Sequence, residues 1–149
     1  MSKVESADLI MKLYDLRREE KMREARGWIP SFFPESAADI MKAMVTTETS
    51  AKFRMVTSYW DMAASFVNHG AIDEEMFFES NGECVLVFAK VEPFLEELRQ
   101  MMGSPNYLKN LETLIMKMPD AKQVLASRRE MMQRWMQARA EIEKNAETV

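Results

Sequence analysis

The sequence predicts an all-α fold, an irregular bundle of six or seven helices forming a single domain over residues 1–149. Three observations predict it. The chain has only 4 Gly and 5 Pro in 149 residues, so turns are few and elements long. Apolar residues recur at intervals of three and four along most of its length. The breaks between these runs carry helix start and stop chemistry rather than hairpin turns.

Each element follows from local residues. Ser2 and Glu5 form a capping box, and Val4, Leu9, Ile10, Leu13, Tyr14 and Leu16 follow at helical spacing. Residues 17–26 are mostly charged, and Glu19 stands four positions before Arg23. The first helix is therefore expected to continue as a solvated rod to Gly27, which ends it. Pro30 and Pro34 then break the chain, and Trp28, Phe32 and Phe33 suggest a loop pinned to the core, with contact to a membrane surface as the alternative. A short helix opens at Pro34 or Glu35 and runs to Ala43, burying Ile40, Met41 and Met44. Residues 46–50 read as a polar turn and cap.

The next helix runs to Asn68 and carries two adjacent stripes. Phe53, Val56, Trp60, Ala63 and Val67 form one; Met55, Tyr59, Met62 and Phe66 form the other. So wide an apolar face predicts a central helix packed on several neighbours. His69 and Gly70 stop it, and Asp73 caps its successor, with Glu74 and Glu75 in the first turn. After Asn81-Gly82, residues 84–89 have strand-like composition. Their spacing nonetheless continues into Val91, Leu95, Leu98 and Met102, which predicts a helix restarted at Pro93. Ser104 and Pro105 are expected as N-cap and first residue of another helix, buried by Leu108, Leu111, Leu114 and Ile115. The last helix runs from Ala121 to Lys144 with a stripe of Leu125, Arg128, Met132, Trp135, Arg139 and Ile142. The long first and last helices are expected to pack against each other or against a partner.

Composition excludes several functions. Hydrophobic residues make up 47% and charged residues 30%, a globular balance. Net charge is −4, so the chain as a whole is not drawn to nucleic acid or anionic lipid. No apolar run approaches the ~20 residues of a membrane span, and the first residues do not form a signal peptide. A single cysteine gives no disulfide framework, which fits a reducing, cytoplasmic compartment.

Site chemistry is sparse. One His and one Cys, fifteen positions apart, make no metal cluster, and no catalytic or cofactor-binding residue is assigned. Cys84 lies in an apolar run that would keep its thiol protonated, and Asp73, Glu74 and Glu75 are explained by capping. Phosphate-binding glycine motifs and the Gly-x-Ser-x-Gly nucleophile motif are absent. Arg17, Arg18, Lys21, Arg23 and Arg26 are interleaved with Glu19, Glu20 and Glu24, a local surplus of only +2 (five minus three). The 15 methionines stand out, because flexible, polarisable side chains suit adaptable contact surfaces.

One segment also resembles a known family. Residues 69–75 read His-Gly-Ala-Ile-Asp-Glu-Glu and follow an aromatic helix; Asn81-Gly82 precedes an apolar helix. Pro93 to Arg99 reads Pro-Phe-Leu-Glu-Glu-Leu-Arg, and Tyr107 precedes Leu111-Glu112-Thr113-Leu114. Over residues 59–114 this resembles a bacterial family known as a domain of unknown function, number 4760. The resemblance implies an all-helical fold and no assigned activity. Members can carry an N-terminal membrane helix; here the first helix is amphipathic and then charged, so attachment is not carried over.

The leading functional expectation is a non-enzymatic interaction or homodimerising module, with Arg128, Met131, Met132, Trp135, Met136 and Arg139 as its contact residues. A second is a small-ligand binder or enzyme with an inter-helix pocket near Trp60, His69 and Asp73. A third is a weak nucleic-acid or regulatory binder using the first helix.

Overall fold

The structure is a computed structural model describing residues 2–148. Among the described residues it contains nine α-helices, two 3-10 turns and no strand, slightly more elements than expected. The helices are α1 (Lys3–Arg17), α2 (Glu20–Trp28), α3 (Ala37–Val45), α4 (Thr47–Asn68), α5 (Glu74–Ser80), α6 (Glu83–Val91), α7 (Leu95–Met102), α8 (Lys109–Ile115) and α9 (Ala121–Glu147). The 3-10 turns are Ile29–Ser31, after α2, and Glu92–Phe94, between α6 and α7.

α4 is the centre. Phe53, Val56, Trp60, Ala63 and Val67 are all buried, and α2, α3, α5, α6 and α8 pack around the helix. The second stripe is only half used: Tyr59 is buried, but Met62 and Phe66 are each about 40% exposed. These five helices therefore do not fully enclose α4, and its outer flank faces solvent.

The first helix differs from expectation. It stops at Arg17, and Glu19, in extended conformation, starts a second helix. The Glu19 carboxylate accepts from the Lys21 and Met22 amides at 3.0 and 2.9 Å, so it acts as an N-cap instead of pairing with Arg23. The reason is tertiary. α1 buries Ser6, Ile10, Leu13 and Arg17, whereas α2 buries Met22 and Ala25. On one straight helix Met22 would point about 140° away from Arg17, because each residue turns about 100°. Breaking the helix lets both faces reach the core. Gly27 lies inside α2 rather than ending it.

The aromatic loop after α2 is pinned to the core. Trp28 stacks on Phe32 at 4.9 Å, Phe32 meets Phe53 edge-on at 5.8 Å, and Ile29 is buried. α3 begins at Ala37, later than expected, because Ser36 caps it by accepting from the Asp39 amide at 3.1 Å. Only Thr46 separates α3 from α4; the remaining residues expected as a turn already belong to α4. His69 and Gly70 stop α4, with Gly70 at φ +79°, and Asp73 caps α5 through the Met76 amide at 2.9 Å. Residues 84–89 are helical, and the chain bends through the 3-10 turn that contains Pro93.

The start of α8 is a second correction. Ser104 and Pro105 do not open it; the helix begins at Lys109, after Leu108 in a left-handed conformation (φ +55°). Its N-terminal amides are capped across the bundle. Asp61 of α4 accepts from the Leu111 amide at 3.0 Å and from Asn110 at 3.3 Å. Arg99 holds the preceding loop, donating to the Tyr107 carbonyl at 2.9 Å and pairing with Glu112 at 3.2 Å. Leu108 is 4% exposed, so burial of its side chain offsets the backbone strain of about 1–2 kcal/mol.

Replacing Asp61 with Ala removes a cap that no residue near α8 in sequence can supply. Urea denaturation should show a stability loss of about 1–2 kcal/mol. An unchanged midpoint would show that solvent caps α8 equally well.

Candidate functional site

α9 is the longest helix and the least enclosed. Its first half packs on α6 and on the Ile29–Ser31 turn, burying Ala121, Leu125 and Met132. Arg129 fastens it there, donating to the Ala89 carbonyl at 2.9 Å and standing 3.6 Å from the Glu92 carboxylate. From residue 137 to residue 148 every side chain is exposed. At about 1.5 Å per residue the helix projects some 15 Å past its last body contacts. It does not pack along α1, so the expected pairing of the terminal helices within one chain is not formed.

The six contact residues expected from sequence divide into two groups. Met132 faces inward and belongs to the core at 6% exposure, and Met131 and Met136 are half-buried. Trp135 is 58% exposed, Arg128 is exposed, and Arg139 is exposed with its guanidinium on Glu143 at 3.0 Å. Ile142 stands outside the body at 68% exposure. The stripe read from sequence therefore splits: Leu125 and Met132 face the body, Trp135 and Ile142 face solvent. Met132 and Trp135 are three residues apart, about 60° around the helix, so a contact face centred on Met132 leaves Trp135 beyond its edge.

The exposed residues, with the half-buried Met131, have their own order. Arg128, Met131, Trp135, Ala138, Ile142 and Asn145 follow at alternating steps of three and four, the a/d pattern of a helix–helix seam. Ala138 was not among the expected contact residues. Counting strict heptads, instead of following the largest side chains, would have found it. α1 also exposes apolar side chains, with Val4, Met11 and Tyr14 each about half exposed or more.

Trp60, His69 and Asp73 do not line a common pocket. Trp60 is fully buried and donates its Nε1–H to Glu83 at 3.2 Å. His69 sits at the end of α4 with Nδ1 2.8 Å from the Ser65 carbonyl. Asp73 holds Lys3 at 2.6 Å, and that ammonium with the Met76 amide lowers its carboxyl pKa. Glu83 also takes a bidentate pair from Arg26, at 2.8 to 3.1 Å. Arg17 is buried against the Trp60 and Tyr14 rings and donates to Asn81 at 2.8 Å. Arg17 and Arg26, two of the five basic residues between positions 17 and 26, are thus held by partners on other helices. Cys84 is fully buried, and burial pushes its thiol pKa up to about 12, so it carries almost no thiolate near neutral pH.

Lys90 is a buried cation that no motif in the sequence marks. It is 5% exposed, donates from Nζ to the Phe32 carbonyl at 2.7 Å, and lies 3.8 Å from the Phe33 ring centre. Burial draws its pKa down to about 8. Its position between Ala89 and Val91, in line with Val87, was the available signal. Lys90 borders a cleft of about 200 Å3 shared with Phe33, Glu35, Phe94 and Arg129. Both its contacts are to the aromatic loop, so it serves to clamp that loop. A larger, open cleft of about 600 Å3 lies beside α4, lined by Met44, Met62, Met102, Asp61 and Tyr107. Among the described residues no three His, Cys, Asp or Glu side chains converge to hold a metal ion, and no helix is long and apolar enough to cross a membrane.

A family model described as "Domain of unknown function (DUF4760)" matches residues 3–118. The chain belongs to the DUF4760 family. The match is wider than the resemblance at residues 59–114, and it covers α1 through α8. It ends before α9, which begins at Ala121, so the projecting helix lies outside the DUF4760 match. No curated protein and no solved structure matches the chain.

Lys90 gives a pH test with a defined sign. Its folded pKa, about 8, is below the ordinary lysine value of 10.5. Between these values the unfolded chain binds more protons, so this group's destabilisation is complete below pH 8 and relieved as pH rises to 10.5. Lys90→Met should therefore be most favourable relative to wild type at pH 7 and lose that relative advantage by pH 10, measured by urea titration at both pH values. A difference independent of pH would refute the assignment.

Proposed function

We propose that the chain is a single helical domain acting as a non-enzymatic, homodimerising interaction module, with the outer face of α9 as its contact surface. The observation that carries this reading is the exposure of Trp135 and Ile142 on a helix that extends beyond its own body. An isolated helix of this kind gains nothing from Trp and Ile on its surface, whereas burying each against a partner is worth about 1.5–3 kcal/mol. Aromatic and arginine side chains are also the residues that most often carry interface energy. α1 through α8 then serve as the scaffold that holds the first half of α9 in place. In this reading the protein works in the cytoplasm.

The interior supports a binding role over catalysis. The titratable groups near Trp60 are committed to one another, Asp73 to Lys3 and a helix cap, and Cys84 to the core.

Light scattering at tens of micromolar should give wild type a mass above that of one chain. Trp135→Glu should return it to one chain with an unchanged helical circular dichroism spectrum. Met132 is unsuitable for this test, because it packs in the core and its loss would damage the fold. A monomeric wild type would overturn the proposal.

A further inference from the structure

We infer that the occupant of the α9 seam is a second copy of α9 running antiparallel, with the two-fold axis near Met136 and Gln137. This rests on the interaction reading above and adds the partner's orientation and register.

Orientation follows from which side chains meet. Parallel, in-register pairing would stack Arg128 on its own copy, placing two like charges in one layer. It would also face Trp135 with Trp135 and leave Ala138 opposite Ala138. Antiparallel pairing sets each a position against a d position. Trp135 then meets Ala138 of the other copy, large against small, and Met131 meets Ile142. Arg128 falls opposite Asn145 at the outer edge, where its head group stays in water.

Charge agrees. In residues 128–136, with Arg129 turned onto Ala89 and Glu92 of its own body, Arg128 and Arg134 stand against Glu130, a balance of +1 (two minus one). Residues 137–148 carry Glu141, Glu143 and Glu147 against Arg139 and Lys144, a balance of −1 (two minus three). Antiparallel pairing lays the acidic tip of each copy along the basic segment of the other, with Arg134 beside Glu141 at both symmetric positions. Parallel pairing sets like against like.

A seam this short is marginal between free peptides, because helix nucleation is costly. Here the first half of α9 is already held helical by α6, so the tip extends an existing helix. The bodies lie at opposite ends of the pair, and an isologous contact closes on itself as a dimer.

Two measurements decide the orientation. Met131→Cys and Ile142→Cys proteins, mixed under mild oxidation, should give the mixed disulfide in preference to either self-disulfide; Cys84 is buried and does not compete. Arg134→Glu and Glu141→Arg should each raise the dissociation constant about tenfold, and the double substitution should restore it. The two positions are seven residues apart on one helix, out of contact within a chain, so restoration reports a pair between chains. Preferential Ile142→Cys self-disulfide, or a double reversal no better than the singles, overturns the antiparallel register. If Trp135→Glu still dissociates the wild-type assembly, the interaction reading survives that result. A wild-type monomer by light scattering removes both.

Discussion

The structure is organised by the need to cover the apolar face of α4. Phe53, Val56, Trp60, Ala63 and Val67 would each lose one or more kcal/mol if left in water, and no single helix is wide enough to cover them. The chain meets this demand from several sides. α2, α3 and α8 pack against it, and α5 and α6 close it near Trp60 and Phe77. The break between α1 and α2 belongs to the same constraint, since a continuous helix could not place Arg17 and Met22 toward one core.

Trp60 brings a second constraint, a polar one. A buried indole N–H needs an acceptor, and Glu83 supplies it. A carboxylate at that depth needs compensating charge, which Arg26 provides with two donors. Arg17 then lies over the rings of Trp60 and Tyr14 and is held by Asn81, whose own amide is anchored to the Phe77 carbonyl. This connected group ties α1, α2, α4, α5 and α6 together. It explains why charged residues that look solvated in sequence are in part internal. It also leaves the charged groups of that region committed to structure.

Local signals in the chain were sufficient wherever a residue acts on its near neighbours. Ser2, Asp73, Gly70 and Pro93 have the positions their chemistry implies, and the continuous 3–4 spacing through Cys84, Val87 and Leu95 resolves a segment whose composition suggests a strand. Elsewhere the deciding partner is distant in sequence. α8 is capped by Asp61 from about fifty positions away, and nothing near Ser104 signals that. Glu19 could pair with Arg23 or cap a new helix, and only the core's claim on Met22 selects the cap. The apolar stripe of α9 was legible in the sequence, but its division between core and surface was not. The 3–4 stripe joins Met132 to Trp135, yet Met132 faces the body and Trp135 faces solvent.

By itself the sequence determined the all-α class, most helix boundaries, the inner face of α4 and the membership implied by residues 59–114. These depend on periodicity and on contacts a few residues long, which a linear string records. Only the tertiary structure decided that the first helix breaks, that Arg17 and Lys90 are internal, and that the end of α9 stands free of the body. Each of these depends on where distant helices place their surfaces. A side chain's exposure is set by what packs across from it, and that is a property of the assembled fold.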